Sequence, residues 1–295
     1  MNASPPLSIV VASVNGLPYV DDCVASLVEH APGAEILVPD CTDETTRNHL
    51  RERWPQARVI EFDEPTSVPA LRAAGVAGAT APYVAVIEDH CIVRNGWASE
   101  LLGSHRAGRS VVGGPIRNGS TRIRDWAGFL FEYSPYMEPI APGAAVDLPG
   151  MNVSYDRKAI AEIDDLLHQG KWEGWLHARL RSRGFELYLD DDAVIHHVKD
   201  FGFWEFVAQR FHYSRAFAGM RNADLGARRF LYALAAPAIA PLLYFRIARN
   251  VLRRRRNRRE LLLATPLLIV YTVVTAVGEG IGFTLGGGRS LLRVK

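Results

Sequence analysis

Short unbroken apolar runs alternate with segments whose apolar positions return every three or four residues. Leu7-Ser-Ile-Val-Val-Ala12 is continuous and rich in β-branched residues, as expected of a strand covered on both faces of a parallel sheet. It stops at Ser13-Val-Asn-Gly16. From Tyr19 to His30, the positions Val20, Cys23, Val24, Leu27 and Val28 recur at helical spacing, and Glu35-Ile-Leu-Val38 reads as the next strand, ending at Pro39-Asp40. A helix rich in Thr, Arg and Glu follows, then a strand Arg58–Phe62, a helix through Val68 to Gly78 and a strand Tyr83–Ile87. Strands alternating with helices in this way predict a doubly wound α/β domain whose ligand sits at the carboxyl ends of the strands.

Beyond about residue 110 the rhythm is broken by Gly113-Gly-Pro115, Pro135, Pro139, Pro142 and Pro149, which suits a platform of short pieces. A helix from about Glu173 to Arg183, a strand Glu186–Leu189, the segment Val194-Ile-His-His197 and a helix carrying Phe203 to Phe217 complete this part. The last third changes character. Phe230–Phe245 is an uncharged run broken by Pro237 and Pro241, and Leu261–Leu285 is a longer apolar run containing Pro266 and Glu279, long enough to span a bilayer.

Charge sharpens that division. The formal net charge is only +2, yet arginines crowd between Arg246 and Arg259 while most acidic residues precede Asp200. The expected domains are therefore 1–220, soluble and α/β, and 221–295, a membrane-associated helical tail. Cys23, Cys41 and Cys91 are far apart with no CxxC pair, which points away from a zinc or redox motif and toward a reduced compartment. No basic flank with a long apolar stretch opens the sequence, so the α/β part is expected in the cytosol, at the cytoplasmic face of the membrane.

Strand Tyr83–Ile87 runs directly into Glu88-Asp89-His90. Alternation places Glu88 and His90 on one face and Asp89 on the other, so the triplet either holds a metal or simply terminates a strand.

Several segments, taken in order, resemble one family. Leu7–Asn15 resembles the first strand and nucleotide loop of family 2 glycosyltransferases of the GT-A fold, and Glu35–Asp43 resembles their second strand with its acidic turn. Pro69-Ala-Leu-Arg-Ala-Ala-Gly75 resembles the helix usually written A-R-N-x-G. Glu88-Asp-His90 falls where the DxD motif sits, with Gly96-Trp97 after it. Lys171–Leu180 with Gly184 resembles the E-D-x-x-L-x-x-R-L-x-x-x-G helix. The likeness spans most of residues 7 to 217 and implies a mixed GT-A sheet flanked by helices, followed here by C-terminal hydrophobic helices.

The resemblance implies roles. Ala12, Ser13, Asn15, Asp40 and Asp89 would bind the nucleotide, with Asp40 accepting from base or ribose and Arg72 near the diphosphate. Glu88, His90 and His196 would hold a divalent cation, His197 being the adjacent alternative. His90 stands where the family has its second aspartate, so the choice between Mn2+ and Mg2+ stays open, imidazole favouring manganese. Glu173, between Trp172 and Trp175, is the expected general base, partly desolvated; a first-turn carboxylate favoured by the helix dipole is the alternative. Asn152 and Trp172 would contact donor or acceptor. Gln209, Arg210, Tyr213 and Arg215 resemble the segment closing over donor phosphates, or else form an amphipathic helix with a basic face.

The expected reaction is inverting transfer from a nucleotide-sugar donor, UDP-linked, to a lipid or glycan acceptor near the membrane. Residues 230–285 would contact the bilayer, either as a re-entrant or interfacial hairpin with arginines on anionic headgroups or as two spanning helices. No nucleic-acid motif accompanies the arginines. A sugar nucleotidyltransferase or a dinucleotide-dependent oxidoreductase would need a glycine-rich loop after the first strand, and Ser13-Val-Asn-Gly16 is not one. A noncatalytic membrane scaffold remains the rival of a different class.

Overall fold

The structure, a computed structural model, describes residues 4–294, the side chain of Ala223 excepted. The chain forms two compact units, one of residues up to Gly119 with Tyr136–Val198, the other of Ser120–Pro135 with the residues from Lys199 onward.

The first unit opens with β1 (Ser8–Ala12), α1 (Tyr19–His30), β2 (Glu35–Asp40), α2 (Glu44–Arg53), β3 (Ala57–Glu61), α3 (Val68–Gly78) and β4 (Tyr83–Glu88). All of β1 is buried, as its unbroken apolar run requires. It lies between β2 and β4, parallel to both, and β2 pairs in parallel with β3. The strand order therefore reverses between β1 and β4, which opens the crevice that α/β sheets use for ligands. An added Cβ on Gly75 would lie 2.2 Å from Val10 Cγ1, so α3 rests its backbone directly on β1.

The chain continues through β5 (Cys91–Val93), α4 (Trp97–Arg106), β6 (Val111–Gly113) and β7 (Ile116–Asn118). After α5 (Ile123–Tyr133), which belongs to the second unit, come β8 (Gly143–Ala145), β9 (Asn152–Asp156), α6 (Arg157–His168), α7 (Glu173–Ser182), β10 (Leu187–Leu189) and β11 (Ile195–His197). β9 enters the sheet antiparallel to both β4 and β6, β10 runs parallel to β6, and β8 closes the edge, giving a mixed sheet of eight strands. A second sheet joins β5, β11 and β7. The helices flank a core in which Val10, Val86 and Val153 of the sheet meet Ile163 of α6 and Leu176 of α7.

The second unit contains α5, α8 (Phe203–Leu225), α9 (Arg229–Ala235), α10 (Ile239–Arg254) and α11 (Arg258–Leu285). It is larger than the tail expected from residue 221, because α5 and α8 pack with α11. Phe206 and Tyr271 stack edge to face at 4.5 Å, a Cβ on Gly128 would meet the Phe201 ring at 2.6 Å, and Asp125 accepts from the Phe201 N–H at 3.0 Å. Pro237 sits in a 3-10 segment between α9 and α10, and Pro241 in the first turn of α10, where its missing N–H costs no helical bond. Residues 226–254 and 258–285 are each long and apolar enough to cross a membrane, with mean hydropathy 1.6 and 2.1. The first run thus reaches spanning length as well, because its helix continues to Arg254.

Candidate active site

At the carboxyl ends of β1 and β4 the loop Ser13–Gly16 lies against Glu88-Asp89-His90. Asp89, fully buried, ties the two together: Oδ2 accepts from the N–H groups of Val14 (2.8 Å) and Asn15 (2.7 Å), and Oδ1 accepts from Asn15 Nδ2 (2.7 Å). Asp89 Oδ1 also lies 3.1 Å from His90 Nδ1, fixing the ring. Asp89 was expected to touch the nucleotide itself; its oxygens are instead occupied in shaping the Ser13–Gly16 loop.

Arg72, on α3, is nearly buried and points at two carboxylates. One nitrogen donates to Glu88 at 2.6 Å, and the other pairs closely with Glu173 at the start of α7. Gly150 makes room for this second carboxylate, since a Cβ there would sit 2.3 Å from Glu173 Cδ. A small cavity of about 20 Å³ behind the pair is lined by Arg72, Glu173, Tyr155 and aliphatic side chains. Trp172 is buried beside it, its ring 6.0 Å from the Arg72 guanidinium. Burial alone would raise the Glu88 pKa, but the hydrogen bond from His90 and the charges of Arg72, His90 and His197 bring it down to about 2. Glu88 is therefore ionised at any working pH.

The histidines correct one expectation. In β11 it is His197, sharing the buried face of Ile195, that meets His90 edge to face with ring centroids 4.7 Å apart. His196 lies on the other face and accepts from Arg94 Nε at 3.1 Å. Glu88, His90 and His197 thus bring one carboxylate and two imidazoles to one place, a donor set whose chemistry suits Mn2+ better than Mg2+. Among the described residues, however, no group of three or more His, Cys, Asp or Glu side chains is arranged to hold a metal ion. The reason is visible in the contacts: Glu88 faces Arg72 with Oε1 and lies 3.2 Å from His90 Nε2 with Oε2.

Other expected contacts are likewise used internally. Asp40 ends β2 fully buried, accepting from Ser13 Oγ (2.6 Å) and from the Thr42 hydroxyl (2.8 Å) and N–H (3.2 Å), a latch between strand ends rather than an open acceptor for base or ribose. Burial raises its pKa against those hydrogen bonds. Asn152, also fully buried, donates to the carbonyls of Ala193 (2.7 Å) and Pro115 (3.2 Å) and accepts from Trp97 Nε1 (2.9 Å), which leaves no amide position aimed at a sugar. Ala12 closes β1 opposite Glu88 in the ladder. Gln209, Arg210 and Tyr213 lie on α8 in the second unit, where Arg210 pairs with Glu132 and packs over the rings of Phe206 and Tyr213, each at 5.0 Å, as a core cation.

One cluster carried no sequence signal. His177, one turn after Glu173, joins Asp147 by Nδ1 and lies 3.0 Å from the Tyr155 hydroxyl by Nε2, anchoring α7 to β9. The Asp147 carboxyl has its pKa lowered: burial opposes ionisation, but the hydrogen bond and charge of His177 outweigh it.

The sequence matches the family model described as Glycosyl transferase family 2 over residues 8–164. The chain belongs to that family. This family 2 glycosyltransferase carries the matched segment from β1 into α6, which includes Arg72 and Glu88-Asp-His90, while Glu173 follows it. Among solved structures, a crystal structure of GalNAc-T7 with UDP, GalNAc and Mn2+ matches with a TM-score of 0.53 and 16% identity, over 66% of this chain and 43% of that one. The glycosyltransferase thus spans less than half the length of that protein, and the likeness places it in the GT-A fold. No curated protein matches the sequence.

Proposed function

We propose that the protein transfers a sugar from a UDP-linked donor, with inversion, to a hydroxyl on a lipid or membrane-proximal glycan at the cytoplasmic face of a membrane. The observation that carries this reading is the meeting of Arg72, Glu88 and Glu173 beside the nucleotide loop: a fixed positive charge and a carboxylate from a separate helix share one place at the sheet's switch point. The UDP and Mn2+ in the GalNAc-T7 structure support the choice of donor and cation.

The acceptor oxygen attacks the anomeric carbon as its proton passes to Glu173, and the bond to the departing nucleotide diphosphate breaks on the opposite face. Arg72 stabilises the charge that accumulates on the diphosphate. A divalent cation would be held by Glu88, His90 and His197, with Asp89 orienting the His90 ring, and would supply further neutralisation of that charge. The apolar surface of residues 226–285 brings the enzyme to its acceptor.

Replacing Glu173 by Gln keeps the shape and removes the base. Turnover is expected to fall by about 10²–10⁴-fold, while UDP-sugar binding, followed by calorimetry, persists. Full activity in Glu173→Gln would remove the assignment.

A further inference from the structure

How the helical unit meets a bilayer follows from what its helices touch, and the inference rests on the membrane reading given above. By length and hydropathy alone, 258–285 is a transmembrane helix. One side of it is not available to lipid. A Cβ on Gly278 would lie 2.1 Å from Ser214 Oγ, one on Gly282 would lie 2.5 Å from the Arg215 carbonyl, and Asn222 Nδ2 donates to the Gly282 carbonyl at 3.0 Å. The C-terminal half of α11 therefore runs along α8 at backbone distance.

α8 is no membrane helix. It carries Glu205, Arg210, His212, Arg215, Arg221 and Asp224 along its length. Were α11 to cross, this helix would be drawn into hydrocarbon with its charges, where ionised side chains are costliest. The other side of α11 is apolar and open, with Leu262 at 74% and Ile269 at 50% exposure, and Leu234 (81%), Leu242 (65%) and Phe245 (66%) add to this open apolar surface from α9 and α10.

At the turn between α10 and α11 that surface meets charge. An open groove of about 620 Å³ is lined by Phe245, Leu252 and four arginines, Arg249, Arg253, Arg255 and Arg258, and no carboxylate lines it. Among the described residues none of these four arginines forms an ion pair. Arg254 differs: it turns inward and donates to the carbonyls of Asn250 (3.1 Å) and Pro135 (2.5 Å). Arg255 holds a left-handed backbone, φ 56°, at the end of α10, and lines the groove with the other three. Guanidinium groups beside exposed aliphatic side chains match a phosphate with an attached acyl chain.

We propose that the helical unit is monotopic: the open face of α9, α10 and α11 lies in one leaflet, and the groove at the α10–α11 turn seats the phosphate of an anionic phospholipid whose chain follows Phe245 and Leu242. The occupant is a membrane lipid, not soluble phosphate.

The full chain is floated with preformed sealed vesicles of phosphatidylcholine alone or mixed with phosphatidylglycerol. Binding is expected to be about tenfold or more stronger with phosphatidylglycerol, to fall to the phosphatidylcholine level in the triple variant Arg249→Gln/Arg253→Gln/Arg258→Gln, and to survive millimolar inorganic phosphate. Equal binding to both vesicles, unchanged binding by the triple variant, or release by phosphate would overturn the lipid site. For topology, Arg256→Cys and Arg289→Cys flank α11 at exposed positions, and an impermeant maleimide added outside is expected to label both beyond the wild-type background. Protection of one of them would mean that α11 crosses, and would overturn the monotopic arrangement. Lipid binding and labelling are read without turnover, so a failure of sugar transfer would count against the proposed reaction and leave this result standing.

Discussion

At His197 the side chain nearest the acidic triplet is decided by strand parity. Ile195 and His197 share a face of β11, so the buried Ile195 already indicates which of the paired histidines turns inward. The sequence contained that signal; the family pattern pointed to His196 instead. If the imidazole of His197 takes part in holding a cation, His197→Ala loses the thermal stabilisation that millimolar Mn2+ gives the wild type, whereas His196→Ala keeps it. Stabilisation of both variants to the wild-type extent would remove His197 from the set. Asp40, Asp89 and Asn152 were expected to contact nucleotide or sugar, and their polar atoms are used within the chain instead. Their hydrogen bonds run inward to chain segments as many as 75 residues distant, which no local pattern reveals. His105 carries a pH consequence. It is buried with Nδ1 2.7 Å from the Arg109 carbonyl, Nε2 2.8 Å from Ser154 Oγ and its ring stacked on Tyr83, and burial lowers its pKa. Below about pH 6.5 the unfolded chain takes up a proton that the folded ring resists. Its contribution is therefore complete above that pH and declines as pH falls toward the lowered folded value. Urea midpoints should drop between pH 7 and pH 5, and drop less in His105→Gln.

For whole elements the apolar rhythm was a good guide, because β1 to β4 are buried runs separated by helices of clear period. Their boundaries fall within one or two residues of expectation. β6, β7 and β8 were harder to see: each has three residues, too few for a period, and their pairing depends on partners far along the chain, whereas β10 falls inside the expected strand Glu186–Leu189. The contact of α3 with β1 is the element on which Arg72 depends. Gly75→Ala would press a methyl group into Val10, at a cost of about 1–3 kcal/mol, measurable by urea unfolding. Because Arg72 is one turn away on the same helix, donor affinity should weaken in parallel. A fully stable Gly75→Ala protein with normal donor binding would show that α3 can shift freely.

Across the molecule, composition separated an α/β part from a basic, apolar part but placed the border at residue 220. The compact helical unit also takes in Ser120–Pro135 and the residues from Lys199, since α5 supplies Glu132 to Arg210 and a glycine face to Phe201. A segment that leaves the first unit and returns to it leaves no mark in composition. The first unit has its own consequence for turnover. Arg72 there pairs with both Glu88 and Glu173, the residue proposed as the base. A donor diphosphate bound beside Arg72 would compete for its guanidinium and would release the carboxylate. On the proposed mechanism, the expected order of addition is therefore sugar nucleotide before acceptor. Product-inhibition kinetics should show the free nucleotide competing with the donor and not with the acceptor, and random-order patterns would break the link. A base freed by the donor would stand beside a bound sugar nucleotide before any acceptor comes, so slow loss of the sugar to water is the expected cost of running such a site without its second substrate.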